Sequence, residues 1–349
     1  MADAFPDADL RVLWSDVERP FGSRPVRESW LASSPLRRSK ALALPLMPAT
    51  WRAVSGGPYD WMLVSSHLFA HHARLSRQPV SSLPKLVYAH TPARYIWNPE
   101  LDARGDGLIP RLASSALKPL DRRRAQEATA VAANSAYVAR RVTEAWERES
   151  TVIYPPVDVT GIRAGAPWSD RLVGADEAVL EQLPDGYVFG ASRFIPYKRL
   201  DLVIEAGEAM GRPVVIAGAG PEEQSLRARG AGATVPVHFV IHPSDRLLYA
   251  LFEHASAYVF PSVEDFGIMP VEAMALGTPV IANAKGGAGE SVEGGGGVLL
   301  DEFEPSAWRE ALEHVETLKP SEVSEHVDRF SAERFSTEIR AWVSEATRR

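Results

Sequence analysis

Cysteine is absent from the sequence, which excludes disulfides and thiolate metal sites and fits a reducing, cytoplasmic setting. Also missing is any run of about 18 apolar residues, the length a membrane-crossing helix needs. The opening stretch MADAFPDADLRVLW carries acids where a secretion signal would carry lysines, and it lacks an apolar centre, so export is not expected. H-E-x-x-H is not found, and no metal ligand set is expected. Internal repeats and low-complexity tracts are absent too. What remains is a globular composition, 45% hydrophobic with a mean hydropathy of −0.14. At 349 residues the chain is long enough for two domains of ordinary size.

Charge is scarce in net but uneven along the chain. Residues 1–150 carry 21 Lys and Arg against 15 Asp and Glu, and the remainder 17 against 30. A basic first half in an acidic protein points to an anionic partner there. Lys118, Arg122, Arg123 and Arg124, with Arg104 and Arg111 before them, suit an anionic membrane surface or a lipid-diphosphate acceptor. They equally suit a solvated arginine face. Nucleic acid is not expected, since no recognised binding motif accompanies the cluster.

The densest chemistry lies in FPSVEDFGIMPVEAMALGTPVI, from Phe260 to Ile281. Ala257–Phe260 is a β-prone run that Pro261 stops. Pro270 fits a first helical turn, VEAMAL is helix-prone, and Gly277 suits the position just past a helix end. The segment reads strand, acidic loop, helix, strand, with Glu264 in the loop and Glu272 in the first helical turn. Free N–H groups around Gly267 and Ile268 would meet phosphate oxygens. Ionised Glu264 and Glu272 accept hydrogen bonds from sugar hydroxyls. Each acid also has a plainer reading, Glu272 on its helix dipole and Glu264 as a solvated loop acid.

A second constellation precedes it. Tyr187–Gly190 is a β-prone run, and the spacing of Leu200, Val203 and Ile204 predicts a helix from Leu200 or Asp201. Arg193 and Lys198 then fall in the turn between strand and helix, where α/β proteins place ligand contacts and where two cations would neutralise a diphosphate. A third loop, Gly218-Ala-Gly-Pro-Glu222, is a glycine-rich turn after the run Val214–Ala217.

In this order and spacing the three segments resemble a family 4 retaining glycosyltransferase of GT-B architecture. The motifs are S-R-x-x-x-x-K, G-x-G-P-E and E-D-F-G-I-x-P-x-E-A-M-A-x-G-T-P-V-I. The likeness is specific from about Tyr187 to Val292. It extends more loosely through YAHTPARYIW, ANSAYVARRV and VIYPPVD, which resemble the mannosyltransferase-like subgroup that builds O-antigen and related surface glycans. The resemblance implies two doubly wound Rossmann-like domains facing a cleft: an acceptor domain over 1–160, a donor domain over 161–330, and a helix over 331–349 crossing back to the first. The stretch from Asp158 to Gly186, where periodicity fades, is expected to be the linker. The resemblance also implies that the chain opens past the family's first strand–loop–helix unit, leaving the first domain without it. Ile241-His242 stands where the family has a glycine, which leaves the nucleotide base open.

The implied activity is retaining transfer of a hexose, mannose from GDP-mannose, to a glycan or lipid-linked glycan. The enzyme would be cytoplasmic, with peripheral binding at the inner face of the membrane. Arg193 and Lys198 would hold the diphosphate, and Glu264, Phe266, Gly267 and Ile268 the sugar and its phosphate. Glu272 would hold the ribose, and His90 would face the reacting sugar. With His90, Arg193, Lys198 and Glu264 as the catalytic set, the two cations supply the countercharge a metal would give. No cofactor is implied beyond the nucleotide-sugar substrate. Two other classes stay open: a non-catalytic nucleotide-sugar-binding subunit, and a nucleotide-sugar epimerase of the same architecture.

Overall fold

The computed structural model describes residues 1–76, 83–97 and 108–348. Arg104 and the Arg111 side chain, members of the basic cluster, lie outside what is described. The chain divides into two compact units, one of Met1–Tyr154 with Phe335–Arg349, the other of Pro155–Arg334.

In the first unit β1 (Leu10–Val12) and β2 (Val26–Glu28) form a short parallel pair. The main sheet is parallel, in the order β3 (Met62–Ser66), β4 (Lys85–Ala89), β5 (Ala130–Ala133) and β6 (Thr151–Val152). β4 is buried along its whole length, as expected of a strand covered on both faces. Helix α1 (Leu108–Ala125) leads into β5, and α2 (Ala136–Trp146) follows it. Ser135 caps α2 as its sequence predicts, its hydroxyl accepting from the Val138 N–H at 3.0 Å. The chain's last helix, Ala332–Thr347, lays Phe335, Ile339, Trp342 and Val343 onto Leu86, Tyr88, Ala132 and Ile153. Side chains of this kind stabilise by about 1.5–3 kcal/mol each when fully buried.

The polar centre of this unit is Asp121 in α1, fully buried. Its Oδ2 accepts from the indole N–H groups of Trp97 at 2.8 Å and Trp146 at 2.9 Å, and its Oδ1 lies 3.1 Å from His72 Nε2. Beside it, buried Lys85 reaches the carbonyl of His71 at 2.8 Å and the Glu127 carboxylate at 3.3 Å.

The second unit is a six-stranded parallel sheet. Its strands are β7 (Tyr187–Arg193), β8 (Val214–Ala219), β9 (Val237–Ile241), β10 (Ala255–Phe260), β11 (Val280–Asn283) and β12 (Gly297–Leu300). Their order in space is β12-β11-β10-β7-β8-β9, a doubly wound sheet whose direction of winding reverses between β7 and β10. Helices α3 (Asp201–Met210), α4 (Asp245–Glu253) and α5 (Ile268–Ala275) connect these strands. Tyr187, Val188 and Phe189 open β7 with no exposed surface, and Phe252 packs edge-on against both Phe189 and Tyr258.

The stretch expected as a linker is instead part of this unit. Helices Val159–Gly165 and Ala175–Glu181 occupy it. Asp158 accepts from the Gly161 N–H at 3.0 Å to start the first of them, and Val159 and Ile162 are buried beneath it. The unit boundary falls earlier, between Tyr154 and Pro155.

Candidate functional site

In an open parallel sheet, ligands bind outside the carboxyl ends of the strands, at the point where the winding reverses. Here that point lies between β7 and β10, and the two sequence constellations issue from those two strand ends. Arg193 is the last residue of β7, and Lys198 closes the short 3-10 turn Pro196–Lys198 before α3. Pro261–Gly267 leaves β10 as the acidic loop. The two loops meet: the Lys198 ammonium is ion-paired with Glu264. This pair is largely enclosed, with side-chain exposures of 13% and 19%. Lys198 also stands over the Tyr197 and Phe260 rings, at 5.4 and 5.9 Å from their centroids. Arg193 is exposed and donates to the Tyr197 hydroxyl at 3.1 Å.

The backbone of the acidic loop is held from behind, since the Gly287 N–H donates to the Glu264 carbonyl at 2.7 Å. Gly267 takes φ +89° at the N-cap of α5, where an added Cβ would lie 2.9 Å from that of Ala288. Only glycine fits there without strain. Having no side chain, Gly267 cannot cap the first N–H groups of α5, and those groups carry the positive end of the helix dipole. On the neighbouring loop Gly218 has φ +136°, and a Cβ there would fall 1.8 Å from the Ser192 carbonyl. The G-x-G-P-E turn therefore lies tight against the end of β7.

Two site residues differ from their expected setting. Helix α5 starts at Ile268, which keeps Pro270 in its first turn but puts Glu272 in the second, where it is half-buried. Burial raises its pKa above the ordinary carboxylate value, the charge of Asp245 adds to this, and a hydrogen bond from Tyr249 opposes it. The Tyr249 hydroxyl is itself pushed up to about 12, by burial first and then by the Glu272 charge. Phe266 is buried with its ring edge-on to Phe330 at 5.4 Å. Its side chain is a packing element, and only its backbone is available to a ligand.

Arg193, Lys198, Glu264, Gly267, Ile268 and Glu272 all belong to the second unit. His90 belongs to the first, just past the end of β4. There its N–H donates to the Ser66 carbonyl at 2.7 Å, and Ser65 Oγ lies 2.7 Å from its Nε2. The Tyr88 ring packs edge-on at 5.2 Å.

Sequence reasoning missed Tyr249 and Asp245, which share one face of α4 at the spacing of a helical turn. The stretch SDRLLYALFE carries that periodicity, but nothing in it names Glu272 as the partner. His242 was singled out only as a departure from a glycine, and it adopts the left-handed φ of +51° that a glycine would supply.

Residues 176–334 match the family model described as Glycosyl transferases group 1. The D-inositol 3-phosphate glycosyltransferases of Mycobacterium tuberculosis and Mycobacterium bovis are 32% identical over 174 residues. That alignment covers 47% of this chain and 35% of theirs, so the chain spans about a third of the length of these curated relatives. Among solved structures, Anabaena HepE in complex with UDP-glucose aligns with a TM-score of 0.61 at 19% identity, covering 92% of this chain and 86% of its own. Sucrose-phosphate synthase from Thermosynechococcus elongatus aligns at 0.64 and 17%, covering 92% and 82%. The structural likeness carries the fold, an α/β GT-B architecture of parallel sheets. The sequence match, over less than half of the chain, makes residues 176–334 similar to the group 1 glycosyl transferases.

Proposed function

We propose that the protein is a retaining glycosyltransferase that moves a hexose from a nucleoside-diphosphate sugar to a glycan or lipid-linked glycan acceptor. The observation that carries this reading is the meeting of Lys198 and Glu264 at the sheet's reversal point, beside the uncapped start of α5. In the proposed complex the α5 N–H groups at Gly267 and Ile268 bind phosphate oxygens. Arg193 and Lys198 take the charge that builds on the departing diphosphate. Glu264 accepts from sugar hydroxyls and Glu272 from the ribose. His90, its ring held by Ser65 in the first unit, is the residue that the motif resemblance assigns to the reacting sugar. The leaving phosphate takes the acceptor proton, so no protein nucleophile is required, and the cations stand in for a metal.

GDP-mannose is the donor we propose, on the motif resemblance, with a surface-glycan acceptor. The UDP-glucose complex of the Anabaena neighbour makes UDP-glucose the comparison donor. Incubation of each sugar nucleotide with a mannose-bearing acceptor, with the product linkage read by NMR, is the test. A new α-linked product from the α-linked donor is expected. An epimerised sugar formed without acceptor would replace this reading with the epimerase, and binding without any product would replace it with the non-catalytic subunit.

Lys118, Arg122, Arg123 and Arg124 extend the reading to an acceptor presented at an anionic membrane surface. Among the described residues no helix is long and apolar enough to cross a membrane. Each basic residue near such a surface contributes about 1 kcal/mol, so association with anionic vesicles should weaken as salt rises.

Glu272 gives a prediction with two signs. Its folded pKa is raised, so its contribution to stability is fully present below the unfolded value and is lost as pH rises through the folded one. Glu272→Gln should therefore melt higher than the parent at neutral pH, with the gap closing on acidification toward the ordinary glutamate pKa. The same variant should bind nucleotide more weakly, by about the 1.5–3 kcal/mol of one charge-assisted hydrogen bond. Thermal melts across pH and a nucleotide titration check both. A variant that gains no stability at neutral pH, or that binds nucleotide unchanged, would remove Glu272 from its assigned place.

A further inference from the structure

The first unit holds a second cluster of ligating side chains, unrelated to the donor chemistry. His71 and His72 end the 3-10 turn Ala70–His72 after β3, and Asp121 faces them from α1. All three are buried, with exposures of 0%, 1% and 0%. Both imidazole Nε2 atoms lie 3.1 Å from Asp121 Oδ1, and the three atoms lie within 4.8 Å of one another.

Each group is also held from behind. Asp121 Oδ2 is occupied by the indoles of Trp97 and Trp146, and His71 Nδ1 lies 3.2 Å from Ser66 Oγ. The His71 ring is further fixed against Trp146, with centroids 4.4 Å apart. Outer partners of this kind orient ligands in metal sites and set which imidazole nitrogen is free. In the tautomer whose Nδ1–H donates to Ser66 Oγ, the His71 lone pair sits on Nε2.

That lone pair is the decisive atom. His72 Nε2 makes a hydrogen bond to Oδ1. His71 Nε2 makes none, although Oδ1 is equally near, and it is a buried polar atom without a hydrogen-bond partner. Buried polar groups are rarely left so. A shared centre beside Oδ1 would satisfy it. For each His–Asp pair, Zn–N and Zn–O bonds of about 2.0–2.1 Å place ligand atoms 3.1 Å apart at roughly 100° around the ion, within the range of ordinary coordination.

We propose that His71, His72 and Asp121 bind a divalent first-row cation of the Zn²⁺ type as a structural site. Two imidazoles and a carboxylate are borderline ligands that suit such an ion better than Mg²⁺ or Ca²⁺. The ion would tie the 70–72 turn to α1 and, through the indoles on Asp121, to Trp97 and to Trp146 in α2.

The test uses the full chain, stripped with chelator and titrated with Co²⁺. A visible d–d absorption saturating at one equivalent is expected, lost on addition of Zn²⁺, together with a melting temperature that rises with Zn²⁺ concentration. His71→Gln and His72→Gln should each abolish the absorption. The chain has nine histidines, so absorption that persists in both variants would place the ion elsewhere and overturn the proposal. If the variants do not fold, X-ray absorption of the Zn²⁺-loaded parent decides, with two imidazoles and an oxygen shell expected. Failure of the parent to bind Co²⁺ or Zn²⁺ would leave the cluster a hydrogen-bonded hub only and overturn the proposal as well.

Discussion

Lys198→Ala is expected to lower turnover by about 10²–10³-fold while changing donor affinity far less. In the proposed reaction, negative charge accumulates on the leaving diphosphate, so a fixed cation contributes most in the transition state. The enclosure of Lys198, between two aromatic rings and Glu264, is what makes its charge effective, because little solvent screens it. Loss of one preorganised group of this kind costs about 2.7–4 kcal/mol of barrier. Arg193→Ala should act in the same direction but less, because Arg193 is exposed. Steady-state kinetics on both variants separates the effects. A rise in KM with kcat unchanged would mean that these cations only anchor the ground state.

The largest stability effect is expected in the other unit, at Asp121→Ala. Removing this carboxylate leaves the indole N–H groups of Trp97 and Trp146 buried without acceptors and strips His72 of its partner. Breaking a buried charged partnership costs about 3–5 kcal/mol. Each unit is compact in its own right, so chemical unfolding need not be two-state. Seven of the nine tryptophans lie in the first unit, Trp97 and Trp146 among them, so tryptophan fluorescence reports chiefly on that unit. Its transition should move to lower denaturant. An unmoved transition would show that the indoles find other acceptors.

How far the sequence could be read depended on distance along the chain. Arg193, Lys198, Glu264 and Gly267 were legible because each lies within a few residues of a strand end, and strand ends are marked locally by prolines, glycines and β-prone runs. The order of six strands places those ends side by side, so local signals were enough. Helix α2 was legible for the same reason, with Ser135 at its cap.

Other features depended on tertiary packing. The ring of Phe266 turns to Phe330, more than sixty residues away, and no local pattern reports that direction. Tyr249 and Asp245 reach Glu272 from a separate helix. The helix Val159–Gly165 was mistaken for linker because Gly161 and Gly165 lower its intrinsic propensity, while the Asp158 cap and the burial of Val159 and Ile162 hold it in place. His71 and His72 lie about fifty residues from Asp121, and only the fold brings them together.

The most direct measurement is calorimetric titration of the full chain with GDP, UDP and ADP, repeated on Glu272→Gln. One of the three should bind, naming the base, and its affinity should fall in the variant. The paired phosphate and ribose contacts proposed all lie in the second unit, between Arg193 and Glu272. Absence of binding by all three nucleotides at millimolar concentration would contradict the assignment of this loop pair as a nucleotide-sugar site.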